Sequence, residues 1–568
     1  LAGIYRNFPS IIMWSLGNES GAGKNFKYCY DKVHSLDSLR PIHYEGTRID
    51  RDYGGSAYSD FYSKMYPSIQ WMKDNTSNLD KPMFICEYAH AMGNAIGNLD
   101  HYWKAMEESN STIGGCIWDW VDQAIYEPKE IKMGIYRLHT GYDFPGPHQG
   151  NFCSNGIVTA ERNYTAKLAE VCGVFQNLDF KCDLRQYNFE KETAIRVYNH
   201  FSFSSTENIE LEYEYMHNGT VIARGVRPLT LIMPNDSGTV VIPCVKNTYN
   251  RKSGELLLNV YAKYKSDTRF CLAGHVLARK QFVLNSSSKL LPVKHSGKTL
   301  AIDSTSNLLK ISNNKICVEF EKNTGLMKSL LLHDKRIIAD SMGFVFNNHR
   351  WIENDRYAHV SNELTPTGKV QIRCVDKKTC VVSTMRSGKI ADQQIDYVIY
   401  SNGIIDMEVN ILPHSDNLRR AGVACAIDSS MSRVEYYALG PWENYCDRNN
   451  GVMLGRYSTV IDSLKENYVK PQTTGDRGKM RELVLKDISG NGIRIQTEGE
   501  VSFSANRYTD EDLMNAKHQW ELVKRPYIYI HLDGAQRGLG NASCGPGPME
   551  EYIIPQKPVK FKLRLSGL

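Results

Sequence analysis

The sequence contains no apolar run that reaches the roughly 18 residues of a membrane-spanning helix. It also lacks a C-x-x-C motif and any Cys/His cluster, so its 14 cysteines indicate neither structural zinc nor the disulfide framework of a small domain. A net charge of +5 over 568 residues provides no concentrated basic field. We therefore expect no membrane and no nucleic acid among the partners.

The N-terminus, Leu-Ala-Gly-Ile-Tyr-Arg, has no initiator Met and no secretory leader. We therefore expect this chain to be a fragment that begins inside a longer protein. The scattered cysteines favour a reducing compartment such as the cytoplasm. Several Asn-x-Ser/Thr triplets occur, including those at Asn75, Asn110 and Asn218, but such triplets are frequent by chance, and a periplasmic or secreted location stays open.

The length predicts roughly three domains of about 100 to 200 residues each. From residue 1 to about 165, short apolar runs end in polar residues and alternate with helical patterns, which is typical of a β/α fold. The apolar runs cover residues 10–16, 41–44, 60–66, 82–86 and 113–118. The helical patterns cover residues 24–38 and 98–109. Five strands are too few to close an eight-stranded barrel.

After about residue 170 the pattern changes to strict alternation, as in residues 194–203 and 209–215. Asn218-Gly219 predicts a tight hairpin turn, and the whole region predicts a β-sandwich. A polar stretch at residues 284–289 is a candidate linker into a long C-terminal region rich in strands and turns. That last region shows no internal repeat.

Two apolar strands each end in a glutamate. Residues 14–20 deliver Asn18 and Glu19, and residues 84–90 deliver Glu87. Barrel enzymes carry their chemistry at this end of the strands. Retaining glycoside hydrolysis requires two carboxyl groups about 5 to 5.5 Å apart, one as nucleophile and one as acid/base. The acid needs a raised pKa, whereas Tyr or His donors would keep the nucleophile ionised.

Each of these residues has a plainer explanation. A glutamate at a strand end is usually solvated or salt-bridged at the surface. The segment Ile117-Trp-Asp-Trp-Val-Asp-Gln123 adds two indoles that could stack on a pyranose ring, although core packing is the commoner role of Trp. The two glutamates together favour a catalytic site more than either one alone.

Four motifs nevertheless resemble glycoside hydrolase family 2, and specifically its large bacterial β-galactosidases. They are Gly17-Asn-Glu-Ser20, Cys86-Glu-Tyr-Ala-His-Ala-Met-Gly-Asn94, Trp118-Asp-Trp-Val-Asp-Gln123 and Asn151-Phe-Cys-Ser-Asn-Gly156. The resemblance continues through Gly440-Pro-Trp-Glu-Asn-Tyr445, Asp447-Arg448 and residues 538–546, so it covers nearly the whole chain.

The resemblance implies a multidomain fold. Residues 1–165 would form the C-terminal part of a (β/α)8 TIM barrel, residues 166–286 an immunoglobulin-like β-sandwich, and residues 294–568 a C-terminal β-supersandwich of the β-galactosidase small-chain type.

The same resemblance implies a role for each site residue. Glu19 matches the general acid/base, Glu87 the nucleophile, Asn18 the amide that binds the sugar 2-hydroxyl, and Tyr66 the donor to the nucleophile. His90 and Trp118 match galactose-binding positions. The implied reaction is retaining hydrolysis of terminal β-D-galactose residues, with a β-galactoside such as lactose as substrate.

The family also uses two cations of the hard, oxygen-binding kind. The resemblance makes Glu19 a ligand of Mg²⁺, and it makes the carbonyl of Phe152 and the side chain of Asn155 ligands of Na⁺. The remaining ligands would lie in an upstream segment. We therefore expect the missing N-terminal segment of the same enzyme to be a partner, and the isolated fragment to be inactive.

The family resemblance also suggests a homo-oligomer, because an open barrel exposes apolar surface. In the C-terminal loop, Cys544 stands where some relatives place a Trp, which leaves the preference for lactose undetermined. Two alternatives stay open: another family 2 β-glycosidase that acts on a glucuronide or mannoside, and a noncatalytic carbohydrate-binding or assembly fragment.

Overall fold

The computed structural model describes residues 1–46, 58–185, 187–245, 254–286, 289–294, 296–355 and 363–568. Residues 287–288 of the predicted linker lie outside these ranges. Within them the chain is mostly β-sheet with few helices. No helix among the described residues is both long and apolar enough to cross a membrane.

The helices are short and most lie in the N-terminal third of the chain. They are α1 (Ala2–Tyr5), α2 (Lys24–Leu36), α3 (Ile69–Asn75), α4 (Leu99–Glu108), α5 (Pro128–Lys132), α6 (Ala166–Val174) and α7 (Asp510–Asn515). Side chains cap some N-termini: Ser68 accepts from the Trp71 amide of α3 at 3.1 Å. The helices predicted at residues 24–38 and 98–109 are confirmed as α2 and α4.

Five parallel strands form the barrel portion. They are β1 (Trp14–Ser15), β2 (Ile42–His43), β3 (Tyr62–Met65), β4 (Met83–Tyr88) and β5 (Thr112–Ile117). β1 pairs with β2, and β3, β4 and β5 form a second sheet in that order. The run at residues 10–16 is strand only at Trp14–Ser15, because β2 offers a partner over just two residues. A small antiparallel pair follows, β6 (Ile125–Tyr126) with β7 (Leu138–His139).

The second part of the chain is the predicted β-sandwich. Its strands are β8 (Leu178–Lys181), β9 (Thr193–Asn199), β10 (Ile209–His217), β11 (Thr220–Pro228), β12 (Ser237–Ile242), β13 (Leu256–Tyr264) and β14 (Val276–Asn285). One sheet has the order β11-β10-β13-β14 and the other β12-β9-β8, and a single hydrophobic core joins them. Asn218 (φ 49°) and Gly219 (φ 76°) form the predicted hairpin turn between β10 and β11, with both residues in the left-handed region that such turns require.

The C-terminal part packs two large, mainly antiparallel sheets around one core. Its strands begin with β15 (Ala301–Ser304), β16 (Leu308–Ser312), β17 (Ile316–Glu321), β18 (Met327–Leu332), β19 (Lys335–Ile338), β20 (Val345–Asn347), β21 (Thr365–Pro366), β22 (Gln371–Asp376), β23 (Thr379–Ser387) and β24 (Ala391–Tyr400). They continue with β25 (Ile405–Pro413), β26 (Arg420–Asp428), β27 (Arg433–Gly440), β28 (Met453–Val460), β29 (Glu482–Lys486), β30 (Gly492–Glu498), β31 (Ser502–Asn506), β32 (Tyr527–Gln536) and β33 (Val559–Gly567).

One of these sheets runs β15-β16-β17-β18-β19-β26-β32-β31, with β20 beside β26. The other runs β21-β23-β24-β25-β33-β30-β29-β27-β28, with β22 beside β23. In β24 every second residue is buried, which is the pattern of a strand with one face on the core.

Buried polar contacts join the barrel portion to the C-terminal sheets. The side-chain amide of Asn94 donates to the Tyr445 hydroxyl at 2.8 Å. Arg448 donates to the Ala95 carbonyl at 2.9 Å, and its guanidinium pairs with Glu443 at 2.8 Å, both side chains being almost fully buried. Because buried charges are stable only when paired and hydrogen-bonded, these contacts fix the position of the loop that follows β4.

Candidate active site

The sequence-predicted side chains come together at one end of the barrel strands. Glu19 follows β1, Tyr66 follows β3, Glu87 lies near the end of β4, and Trp118 follows β5. Within each of the two sheets the strands are parallel, so their carboxyl ends share one edge. The charge of Glu19, after β1, acts on Glu87 at the end of β4, which brings the two edges together. Asn18 is exposed beside Glu19 at the same edge.

The centre of the site is the contact between Tyr66 and Glu87. The Tyr66 hydroxyl is hydrogen-bonded to the Glu87 carboxyl group, and the Tyr66 amide donates to the Glu87 carbonyl at 2.8 Å. Burial raises the pKa of Glu87, and the charges of Glu19, Glu45 and Asp119 raise it further. The Tyr66 hydrogen bond lowers the pKa but does not cancel the rise. Burial and the Glu87 contact raise the pKa of Tyr66 well above its usual range.

Three residues around this contact have left-handed backbone conformations that are uncommon outside glycine. They are Glu19 (φ 48°), Tyr66 (φ 45°) and Ala89 (φ 48°). Such residues cost about 1 to 3 kcal/mol each and cluster at functional sites. Their grouping at one strand edge is therefore a second, independent indication of a site.

His90 is completely buried beneath the edge. Its Nδ1 lies 2.7 Å from the Ser543 hydroxyl, and its ring packs against Tyr66 (5.7 Å between centroids) and Phe152 (5.3 Å). The Ser543 amide in turn donates to the Asn354 side chain at 3.0 Å. The C-terminal part of the chain thus supplies one wall of the site.

The backbone of Trp118 is hydrogen-bonded to the segment that follows Glu87. Its amide donates to the Tyr88 carbonyl at 3.0 Å, and its carbonyl accepts from the Ala91 amide at 2.6 Å. The side chain is partly exposed. An indole placed here can offer a face to a bound sugar.

The predicted sodium ligands lie side by side. The Asn155 amide nitrogen donates to the Phe152 carbonyl at 2.8 Å, and the Asn155 Oδ1 atom is buried with no hydrogen-bond partner among the described residues. The unpartnered Asn155 Oδ1 atom, and the second lone pair of the Phe152 carbonyl, are oxygen ligands of the type that a hard cation prefers.

The predicted magnesium site has less support. Within the described ranges, no group of three or more His, Cys, Asp or Glu side chains could hold a metal ion. Glu19 is the single expected Mg²⁺ ligand in this chain.

Sequence reasoning missed three neighbours of the site. Glu45 accepts a hydrogen bond from the Glu19 amide at 2.9 Å, and it follows β2 just as Glu19 follows β1, so the same strand-end pattern could have found it. Asp119 lies in the Trp-rich motif next to Trp118. Ser543 comes from the opposite end of the chain, and no local signal connects it to His90.

Three family models match consecutive parts of the chain. Residues 2–180 match the TIM barrel domain of the glycosyl hydrolases family 2, residues 195–285 match domain 4 of beta-galactosidase, and residues 312–565 match the beta galactosidase small chain.

Curated relatives match the chain almost from end to end. A beta-galactosidase of Pseudoalteromonas haloplanktis is 29% identical over 99% of this chain and 57% of its own length. A beta-galactosidase of Actinobacillus pleuropneumoniae is 28% identical over 99% of this chain and 55% of its own length. The chain therefore spans little more than half the length of these relatives.

Among solved structures, a galactose 1-epimerase from Lactobacillus acidophilus NCFM covers 48% of the chain with a TM-score of 0.30 and 10% identity. This likeness is too weak to support any argument. The three family models and the near-complete alignments agree with one another, and the chain belongs to glycoside hydrolase family 2, with the consecutive domains of its β-galactosidases.

Proposed function

We propose that this chain carries the catalytic carboxyl groups of a retaining β-galactosidase. The observation that supports this most directly is the hydrogen bond from Tyr66 to Glu87, with Glu19 close enough for its charge to raise the Glu87 pKa. Glu87 is thus hydrogen-bonded to the neutral Tyr66 hydroxyl, and Glu19 is a second carboxyl group near it. Double displacement uses a pair of carboxyl groups of this kind.

In the first step, Glu87 attacks the anomeric carbon while Glu19 gives its proton to the leaving glycosidic oxygen. The bond to the aglycone breaks and a glycosyl ester forms on Glu87. In the second step, Glu19 takes a proton from water, the hydroxide attacks the anomeric carbon, and the ester bond breaks to release galactose. Two inversions at the same carbon retain its configuration.

The walls of the site suit a sugar with fixed orientation. In this proposal Asn18 binds the 2-hydroxyl and Trp118 contacts the galactose ring. His90, which the resemblance makes a galactose-binding residue, is fully buried here and supports the pocket from behind Tyr66 and Phe152. The buried position of His90, between two aromatic rings and the Ser543 hydroxyl, supports a preset geometry rather than a mobile one.

Two cations complete the proposal. Na⁺ would be held by Phe152 and Asn155 and would supply a fixed positive charge beside the sugar. Mg²⁺ would be held by Glu19 together with ligands from other polypeptide.

The same reasoning extends to architecture and assembly. We propose the domain limits 1–165, 166–286 and 294–568, with an immunoglobulin-like sandwich in the middle and a supersandwich at the end. Five barrel strands, and a length of 57% of the first relative, support completion of the barrel by an additional segment of the same enzyme and further association into a homo-oligomer.

The test is hydrolysis of nitrophenyl β-galactoside, with and without Mg²⁺ and Na⁺, by this chain alone and with the upstream segment added. A 2-fluoro galactoside should label Glu87, and Glu87→Gln should abolish turnover. Glu107→Gln, on the exposed face of α4, should leave turnover unchanged. A folded sample without activity in every arm, or a label on another residue, would contradict the proposal.

Glucuronide and mannoside substrates in the same assay separate the galactosidase from other β-glycosidases. A faster rate on either of these than on the galactoside would keep the mechanism and change the substrate.

A further inference from the structure

A second cavity lies away from the catalytic carboxyl groups. It has a volume of about 810 Å³ and lies between the segment that follows β5 and the C-terminal sheets. We call it the aromatic cleft. None of Glu19, Tyr66, Glu87, His90 and Trp118 is among the described residues that line it. Ligand pockets have volumes of about 300 to 1,000 Å³ and favour domain interfaces.

Aromatic rings cover much of the cleft. The Trp442 and Tyr164 rings lie 4.9 Å apart at 34°, and Tyr164 is 44% exposed. Tyr126 and Tyr136 form an edge-on pair with 6.2 Å between centroids. Trp520 adds a second indole, one face of which stacks on His518 at 4.1 Å between centroids. Rings that remain open to solvent beside a cavity are available for stacking, unlike the buried rings of a core.

A nearly buried arginine also lines the cleft. Arg477 lines it and is 4% exposed, and its Nη1 and Nη2 groups donate to backbone carbonyls of Asp476 (3.0 Å) and Leu464 (3.3 Å). Its Nε–H has no hydrogen-bond partner among the residues that the structure describes. A buried donor without a partner is costly, so an oxygen of a bound molecule would stabilise it.

The formal charges of the lining residues balance, although burial raises the pKa of Glu466 to about 7. Three cations, Arg137, Lys465 and Arg477, face three carboxyl groups, Asp122, Glu161 and Glu466. Some are already engaged: Glu161 accepts from the Tyr126 hydroxyl, and Lys465 donates to Gln519 at 3.2 Å. A cleft without excess charge favours a neutral ligand with many hydroxyl groups over a phosphate or a uronate.

We propose that the aromatic cleft is a second carbohydrate-binding site, which takes a neutral oligosaccharide. Pyranose rings would lie with their C–H faces on Trp442, Tyr164 and Trp520, and a sugar oxygen would accept from Arg477. This assignment does not depend on the proposed hydrolysis, because the catalytic pair lies elsewhere.

The test measures binding in the Glu87→Gln background, where turnover cannot consume the probe. Calorimetry and saturation-transfer NMR would be run with three neutral probes: β-1,4-galactotriose, cellotriose and maltotriose. Oligogalacturonate serves as the charged comparison. At least one neutral trisaccharide should bind, and Trp442→Ala should weaken it about tenfold or more.

Matched variants keep the test decisive. Phe270→Ala, at a ring that is 86% exposed and outside the cleft, should leave affinity unchanged, and Trp442→Phe should retain part of it. Circular dichroism checks the fold of each variant. No binding of any neutral probe, tighter binding of the charged probe, or binding that Trp442→Ala and Trp520→Ala leave unchanged would each overturn the assignment.

Discussion

Replacement of Tyr66 by Phe tests the proposed nucleophile through its ionisation. The change removes one hydroxyl and leaves the ring beside His90, so packing is nearly conserved. The lost hydrogen bond is the contact that lowers the pKa of Glu87 against burial and the neighbouring carboxylates. Without it, the pKa of Glu87 should rise further above its ordinary value.

The size of the shift follows from the strength of the bond. A hydrogen bond to a charged group contributes about 1.5 to 3 kcal/mol, and one pKa unit corresponds to about 1.4 kcal/mol. The pKa of Glu87 should therefore rise in proportion to the free energy of the lost hydrogen bond. Because Glu87 attacks as a carboxylate, activity is present above its pKa and is lost as the pH falls through it. The acid limb of kcat/KM should move to higher pH.

The assay is the pH profile of kcat/KM for nitrophenyl β-galactoside in the active preparation. The position of the acid limb is the readout, since Tyr66 can also affect the height of the plateau. Tyr62→Phe, on the same strand, removes a hydroxyl that donates to Asp80 at 3.0 Å, and its limb should stay where it is. A limb that stays in place or moves to lower pH in Tyr66→Phe would refute the reasoning.

Arg448→Met deletes one member of a buried ion pair and should lower the free energy of unfolding by about 3 to 5 kcal/mol. In the same denaturation experiment Arg456→Met should lower it by under about 1 kcal/mol, because the Arg456 side chain is 44% exposed in its ion pair. Gly97→Ala would place a Cβ atom 2.0 Å from an oxygen of the buried Asp447 carboxylate. It should therefore lower the free energy of unfolding by about 1 to 3 kcal/mol, and an unchanged melting temperature would contradict this. The Cys374 and Cys380 sulfurs lie 3.4 Å apart on paired strands, so a thiol oxidant such as diamide should join them with loss of two hydrogens by intact mass, and Cys380→Ser should prevent this.

Local patterns predicted the elements of the fold well. The alternation in residues 209–215 and the Asn218-Gly219 turn specify a hairpin by short-range chemistry, and the structure has both. The strand predicted at residues 10–16 is longer than the observed Trp14–Ser15, because apolar character alone does not give the length of the partner strand. The pairing order of the two large C-terminal sheets depends on contacts between distant strands, which no local pattern encodes.

The sequence likewise predicted some features of the candidate site and not others. Glu19, Glu87 and Trp118 could be placed together because each follows or ends an apolar strand, whereas Tyr66 was assigned through the family resemblance. The direction of the Glu87 pKa could not be predicted, because it depends on burial and on how close three other carboxyl groups lie.

The contact between His90 and Ser543 also has a consequence for synthesis on the ribosome. The two residues are 453 positions apart in the chain. At about 5 to 20 residues per second, translation needs roughly 20 to 90 s to connect them. Throughout that interval the carboxyl groups of Glu19 and Glu87 already exist, but His90 lacks its contact with the Ser543 hydroxyl. A message truncated before the Ser543 codon would therefore yield a polypeptide with Glu19 and Glu87 and an unfinished pocket wall.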